Sequence, residues 1–253
     1  KITTLVWQQI VCRMIIELLP DVFIVSGNGL ATELKTGIFH YINELDAVAH
    51  SEGDDVIVKI VYDAMLIKTK GIKNALASGK LKPYHIGNVN NRERFMYAGD
   101  RPLDLNTIPF ADYSFLKQDV NGYQMLEYYI GNAIWGMGAN NSSATSFTMN
   151  RSTNFVSSRG CPYACNFCFR GAQGERNYGI RSAENLAQEF LSHINKYNVD
   201  FIGMPDDNFA VNYQRIKDLV PLLEPFKIKW GTHLRLDEAA GLKTNTLGHL
   251  DME

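Results

Sequence analysis

Three of the four cysteines in this 253-residue chain lie in one short stretch, at Cys161, Cys165 and Cys168. Three residues separate the first pair, two separate the second, and Gly160 precedes the group. Thiolates this close together can converge on one metal centre without help from distant parts of the chain. Closed zinc and iron–sulfur sites usually take four ligands from protein. The stretch therefore predicts a metal centre with one position left for a ligand that is not protein.

Two other uses of these cysteines agree less well with the sequence. A structural disulfide is disfavoured, because closely spaced cysteines in an otherwise cysteine-poor chain do not make a disulfide framework. A zinc site would need a fourth cysteine or histidine nearby, and the next histidine, His193, falls in a helical stretch. Cys12 lies in an apolar helical pattern and is expected to be a small buried hydrophobic residue.

The spacing Cys161-x3-Cys165-x-Phe167-Cys168 resembles the cluster motif of radical S-adenosylmethionine enzymes. The resemblance implies that the three cysteines hold a [4Fe-4S] cluster whose fourth iron is chelated by the amino and carboxylate groups of S-adenosylmethionine. An electron from the cluster then cleaves the sulfonium and gives a 5′-deoxyadenosyl radical. It also implies that Phe167 packs beside the adenine; the alternative is a hydrophobic shield for the cluster.

Composition limits the classes of function that fit. The net charge of −2 argues against a broad nucleic-acid-binding surface, and 45% hydrophobic with 21% charged residues are typical of a globular protein. No apolar run reaches the length of a membrane span, and no secretory signal opens the chain. Few, clustered cysteines fit a reducing cytoplasm. The chain begins at Lys1 and ends at Glu253 where a further helix is expected, so we expect a fragment truncated at both ends.

The N-terminal part alternates helices and short apolar strands. The pattern predicts helices over 4–19, 33–43 and 54–68 and strands over 21–26 and 46–50. This order implies an open parallel α/β sheet, in which ligands bind at the carboxyl ends of the strands. Those ends carry Gly27-Asn28-Gly29 and Glu52-Gly53. The alternative is that both are ordinary strand-to-helix turns.

The order of these segments, 20–28, then 46–48, then 52–54, resembles the second half of the cobalamin-binding Rossmann-like domain that many radical S-adenosylmethionine enzymes carry before the cluster domain. The resemblance implies that Gly27, Asn28, Gly29, Glu52 and Gly53 face the corrin ring and its nucleotide tail. The first strand of that domain, where some relatives hold a cobalt-binding histidine, is not in this chain. The stretch 104–109 resembles the linker between the two domains; the alternative is a plain connector.

The C-terminal part predicts strands over 154–158, 199–204 and 227–232, with helices over 182–197 and 212–223 between them. This alternation is typical of a β/α barrel. The fold class expected for the whole chain is α/β: an incomplete Rossmann-like cobalamin-binding domain over 1–80, a linker region over 81–150, and the first half of a partial (β/α)6 radical S-adenosylmethionine barrel over 151–253.

Two further groups of residues are candidates for cofactor binding. Asp206, Asp207 and Asn208 follow the second strand of this part and resemble the acidic segment that receives the amino group of S-adenosylmethionine. The alternative for them is a helix cap. Arg235 follows the third strand and either pairs with the cofactor's carboxylate or forms a surface salt bridge with Asp237.

The two resemblances together imply a radical S-adenosylmethionine enzyme that uses cobalamin for methyl transfer to an unactivated carbon. Alternatives are radical chemistry without cobalamin, giving methylthiolation or rearrangement, and a non-catalytic iron–sulfur or zinc module. The resemblance implies an electron donor such as flavodoxin or ferredoxin as partner. The substrate, whether a small molecule, a lipid or a peptide, is not specified.

Overall fold

The computed structural model describes residues 2–131, 149–168 and 178–235 and shows a mixed α/β protein with parallel sheets. The chain divides into two compact units, Lys1–Pro102 and Leu103–Glu253. Within the described ranges, no helix has the length and apolarity needed to cross a bilayer.

The first unit is built on a four-stranded sheet. Its strands are β1 (Val25–Ser26), β2 (Ala47–Ser51), β3 (His85–Val89) and β4 (Arg92–Gly99), and its helices are α1 (Ile2–Leu18), α2 (Asn28–Leu34), α3 (Val56–Lys70) and α4 (Ile72–Ala77). The strand order is β1-β2-β4-β3, with β3 antiparallel to β4 and the other pairs parallel. The predicted parallel pairing of the first two strands is confirmed.

Apolar side chains of this sheet alternate between two cores, as the two-residue period of a strand requires. Val48 packs in one cluster with residues of α1 and α2, while Ala47 packs in another with residues of α3 and α4. Cys12 is buried in the first cluster, as expected from the sequence. Helices therefore cover both faces of the sheet, and the carboxyl ends of the strands stay at one edge.

The predicted helix over 33–43 is wrong in its limits. The chain turns into α2 directly after β1, with Gly27 as the residue before the helix, and continues as a 3-10 helix over Lys35–His40. Lys35 has φ of 47°, which interrupts regular α-helix between the two segments. The segment Gly27–Gly29 is therefore the start of a helix, which agrees with the alternative of a strand-to-helix turn.

Gly99 shows how tightly the strand ends are packed. A Cβ atom at this position would lie 2.0 Å from the carbonyl oxygen of Glu52 and 2.6 Å from Oδ1 of Asp55. We therefore expect Gly99→Ala to lower the free energy of unfolding by about 1–3 kcal/mol, as overpacking usually does. Urea unfolding measures this change. Gly29→Ala is the matched control, since nothing lies within 4 Å of that Cβ position; an equal loss in both variants would contradict the steric explanation.

The second unit contains a three-stranded parallel sheet. Its strands β7 (Ser152–Asn154), β10 (Phe201–Met204) and β11 (Lys229–Thr232) lie side by side in chain order. Helix α6 (Ala183–Tyr197) connects the first two strands and α7 (Tyr213–Leu223) the last two. Smaller elements are β5 (Asp119–Val120), β6 (Tyr123–Gln124), α5 (Met125–Ile130), β8 (Ser158–Arg159) and β9 (Gly179–Ile180). The predicted strand–helix–strand–helix–strand order is present in this sheet.

The limits of the first strand differ from the prediction of 154–158. Strand β7 ends at Asn154, while Ser158 and Arg159 form β8, which pairs antiparallel with β9. Ser152 and Thr153 in β7 are buried although polar. Because the strand carries buried hydroxyls, it lacks the apolar run that would mark it in the sequence.

The stretch from Leu103 to Leu116 packs against α6. The side-chain oxygen of Asn106 accepts the Ser182 amide proton at 2.8 Å, and the Ala111 amide donates to Glu189 at 2.8 Å. The Tyr197 hydroxyl oxygen accepts from the Tyr113 amide at 2.7 Å. The domain limits predicted at 80 and 150 thus differ from the observed division after Pro102: β3 and β4 belong to the first unit, and this stretch packs on the second.

Candidate functional site

A buried carboxylate holds the base of the cysteine loop. Asp206, just past the end of β10, is 1% exposed. Its oxygens accept the Ser157 amide proton at 2.8 Å, the Ser158 hydroxyl at 2.7 Å and the Ser157 hydroxyl. The two serines directly precede Arg159 and Gly160, so Asp206 fixes the backbone that leads into the cysteines.

Arg215 of α7 completes this buried network. Its Nη1 donates to the Ser157 carbonyl at 2.8 Å, and its Nη2 donates to the Phe209 carbonyl at 3.1 Å. Burial lowers the pKa of Arg215, while the negative charge of Asp206 counteracts this effect. Arg215 was not predicted from the sequence as a residue of this site. Its position on the face of α7 that carries Ile216 and Leu219 was the available signal, since an arginine beside core residues needs a buried partner.

The cysteine loop begins with a glycine in a left-handed conformation. Gly160 has φ of 84°, a value that residues with a Cβ rarely adopt, and it turns the chain out of β8. All three loop cysteines are half-buried, whereas Pro162, Ala164 and Asn166 between them are exposed. The Cys168 amide donates to the Cys165 carbonyl at 3.0 Å, so the last two cysteines lie on one turn.

The three cysteine thiols of this loop are chemically suitable ligands for an iron–sulfur cluster. Three partly shielded free thiols on one short segment are the ligands that such clusters take from protein. Their side chains are not gathered around a point: across 2–131, 149–168 and 178–235, no three His, Cys, Asp or Glu side chains are grouped as a metal site. The cysteines are thus placed on a common loop, while their assignment as metal ligands stays a prediction.

Arg235 brings a positive charge to this loop from the end of β11. Its Nη1 lies 3.1 Å from Sγ of Cys165, and its guanidinium carbon lies 4.1 Å from the centre of the Tyr163 ring. This contact differs from the predicted partners of Arg235, which were a cofactor carboxylate or Asp237. Asp237 lies outside the described residues.

The acidic segment after β10 divides into three different environments. Asp206 is committed to the serines, and the buried Asn208 caps the 3-10 helix Phe209–Val211 by accepting the Ala210 amide proton at 3.3 Å. Asp207 is exposed. The cap alternative therefore describes Asn208, and Asp207 is the carboxylate of this segment that solvent reaches. Phe167, the predicted neighbour of the adenine, is 89% exposed.

In the first unit, the predicted cofactor residues lie at the carboxyl ends of two adjacent parallel strands. Asn28 and Ser51, one at each strand end, have left-handed φ values of 69° and 68°. The Ser51 amide donates to the Thr32 hydroxyl at 3.2 Å, which ties the second strand end to α2. Glu52 is engaged by Arg101, whose Nε and Nη2 both lie 3.0 Å from its Oε1.

The structure thus brings Gly27, Asn28 and Gly29 to the same sheet edge as Glu52 and Gly53. Gly29 and Gly53 are exposed, and nothing lies within 4 Å of a Cβ placed on either. A large planar ligand could approach the backbone at both positions, which fits the chemistry of a corrin. The carboxylate of Glu52 is already paired, so its backbone rather than its charge would face such a ligand.

A cavity of about 180 Å³ lies behind the base of the cysteine loop. Its lining is mainly apolar and includes Leu105, Ile108 and Phe155, together with the charged side chains of Arg181 and Glu189. Pockets for larger organic ligands usually measure about 300–1,000 Å³. The cavity is therefore too small for an adenosyl or corrin group.

Comparison with known proteins gives few relatives. No protein-family model matches the chain. The chain is 25% identical over 221 residues to an uncharacterized methyltransferase of Pyrococcus horikoshii, covering 86% of this chain and 40% of the relative. The chain thus spans less than half of the length of this curated relative.

Among solved structures, the chain is similar to the apo, selenomethionine-labelled, cobalamin-dependent S-adenosylmethionine radical enzyme OxsB. The TM-score is 0.45 with 15% sequence identity, over 90% of this chain and 32% of that one. Neither likeness is high enough to establish membership of a family by similarity alone.

Proposed function

We propose that this chain is part of a radical S-adenosylmethionine enzyme. The observation that carries the proposal is the cysteine loop: three half-buried thiols on one segment, beside the carboxyl ends of a parallel sheet, with the Arg235 guanidinium on one of them. Cys161, Cys165 and Cys168 would hold a [4Fe-4S] cluster. When bound, that cluster supplies the electron that cleaves the sulfonium of S-adenosylmethionine.

The residues around the loop have separate tasks in this proposal. Asp206 and Arg215 both bind Ser157, and these hydrogen bonds hold the backbone that leads into the cysteines. Asp207, which is exposed, would pair with the ammonium group of S-adenosylmethionine, since charge-assisted hydrogen bonds favour such a pair. The exposed ring of Phe167 is available to stack on the adenine.

Methyl transfer assisted by cobalamin is the finer proposal. The methyltransferase relative from Pyrococcus horikoshii supports the reaction type, and the open strand-end edge of the first unit supports a corrin. The chain covers 40% of that relative, so the relative supports a reaction type and not a particular substrate. A one-electron donor such as flavodoxin or ferredoxin would act as partner.

Anaerobic reconstitution of the protein with iron and sulfide tests the main proposal. We expect a [4Fe-4S] cluster whose paramagnetic signal, after reduction, shifts when S-adenosylmethionine is added, followed by release of 5′-deoxyadenosine. A cluster whose signal does not respond would favour the non-catalytic iron–sulfur module. Binding of zinc without iron would favour the zinc module.

The cobalamin proposal has its own test, because Gly53 offers open space for a side chain. We expect Gly53→Phe to keep the fold and to reduce retention of hydroxocobalamin about tenfold or more, since forcing a side chain into a contact costs about 1–3 kcal/mol. Spectral titration of the desalted protein measures retention. Gly37→Phe is the control, since its Cβ position is equally open and it lies on the 3-10 helix Lys35–His40. Wild-type protein that retains no corrin would refute the cobalamin proposal and leave the radical proposal standing.

A further inference from the structure

Arg235 connects the end of β11, in the three-stranded sheet, to the cysteine loop through a polar contact with a thiol. It follows β11, is half-buried, and reaches Sγ of Cys165 with Nη1 at 3.1 Å. The planar guanidinium lies 4.1 Å from the centre of the Tyr163 ring, so stacking restricts its orientation. The contact therefore has a defined donor, a defined acceptor and a surface that holds the donor in place.

The chemistry of this contact differs from that of an ordinary surface ion pair. An arginine stays charged at all accessible pH values, and its N–H groups donate in a fixed fork. Hydrogen bonds to the sulfur ligands of an iron–sulfur cluster, and nearby charge, are among the factors that set its reduction potential. A cation at a cysteine ligand stabilises the reduced form more than the oxidised form, because reduction adds one negative charge.

We propose that Arg235 is a positioning residue that fixes Cys165 and raises the reduction potential of the cluster. This inference rests on the proposed function and concerns the same site. In the step that it affects, one electron enters the cluster from a one-electron donor. No bond of the protein forms or breaks, and Arg235 keeps its proton.

The proposal gives a different expectation from a role of Arg235 in binding the carboxylate of S-adenosylmethionine. A carboxylate partner would change the affinity for S-adenosylmethionine and leave the cluster unaffected in its absence. A donor to Cys165 changes the potential of the cluster before any S-adenosylmethionine is present. The midpoint potential of the reconstituted protein without S-adenosylmethionine therefore separates the two roles.

The experiment compares wild-type protein with Arg235→Gln, Arg235→Lys and Lys229→Gln in a redox titration followed by electron paramagnetic resonance. We expect Arg235→Gln to lower the one-electron equilibrium constant for reduction about tenfold or more, which is a fall of about 59 mV or more. The potential of Arg235→Lys should lie between those of wild type and Arg235→Gln, because lysine keeps the charge but lacks the planar fork. Lys229→Gln removes the same charge from the exposed start of β11 and should leave the potential unchanged.

A potential in Arg235→Gln equal to that of wild type would overturn the proposal, as would an equal fall in Lys229→Gln. If Arg235→Gln does not fold by circular dichroism, Tyr163→Leu replaces it, since this change removes the stacking surface and keeps the arginine; an unchanged potential there also overturns the proposal. Wild-type protein that forms no cluster would refute the proposed function itself. A cluster that responds to S-adenosylmethionine but not to these substitutions would refute the role of Arg235 alone.

Discussion

Cys165→Ala is expected to abolish iron incorporation and formation of 5′-deoxyadenosine while leaving the fold intact. The loop supplies three thiols, and removal of one leaves too few to hold the cluster. We expect the rate of 5′-deoxyadenosine formation to fall more than about a hundredfold, because substituting residues that only contact the metal ligands already reduces metal affinity or activity about 10–100-fold. Iron and sulfide analysis, visible absorption and chromatography of the nucleoside products measure the effect.

Cys12→Ala is the matched control for this substitution. Cys12 is the fourth cysteine and is buried among apolar residues of the first unit. The control should therefore keep its iron content and activity. Full iron content in Cys165→Ala, or equal loss in both variants, would contradict the assignment of the loop as the cluster site.

Glu189→Ala should cause the largest loss of stability in the second unit. Glu189 is 1% exposed and receives hydrogen bonds from the Ala111 amide at 2.8 Å and from Arg181, which is itself 5% exposed. Removing the carboxylate leaves the buried Arg181 uncompensated, and breaking a buried pair in this way costs about 3–5 kcal/mol. Urea unfolding, followed by the fluorescence of Trp230 in the same core, measures the loss.

Glu184→Ala is the control on the same helix, since Glu184 is exposed in the first turn. This control should change the free energy of unfolding by no more than about 0.3–1 kcal/mol, as expected for a charge at a helix end. The double variant Arg181→Met with Glu189→Leu should recover most of the loss, because apolar replacements remove both buried charges. If Glu189→Ala were as stable as wild type, the pair of Arg181 and Glu189 would not be what holds segment 103–116 on α6.

The same pair predicts the direction of a pH effect. Burial by itself raises the pKa of Glu189, but His193, the Ala111 amide and Arg181 together hold it below the ordinary value. A carboxyl group whose pKa is lower in the folded than in the unfolded state contributes stability above the unfolded value. This contribution is lost as the pH falls through the folded pKa, so acid should weaken wild-type protein more than the double variant.

Local patterns predicted the elements whose signals lie within a few residues. The predicted helix over 182–197 begins at Ser182, whose hydroxyl caps α6 by accepting the Asn185 amide proton at 3.2 Å. Strand β10 was found because Phe201–Met204 is a short apolar run between two helices, and β11 because Ile228 and Trp230 alternate with polar residues. Their parallel order followed from the helical connections on either side.

The parts that were missed depend on partners far away in the chain. Thr153 sits in a buried strand because its hydroxyl meets Nδ1 of His193 at 2.8 Å, a pairing that no local pattern reveals. Asp206 resembled a cofactor ligand in sequence, and the structure instead surrounds it with Ser157 and Ser158. Spacing along the chain locates candidate polar residues, whereas packing decides whether their hydrogen-bonding capacity is used internally.

The anchoring of the loop base by Asp206 bears on how such a protein would survive exposure to oxygen. Its hydrogen bonds to Ser157 and Ser158 involve no metal, so they would remain if the proposed cluster lost its iron to oxygen. The cluster could then be rebuilt from iron, sulfide and a reductant on a loop whose base is still folded.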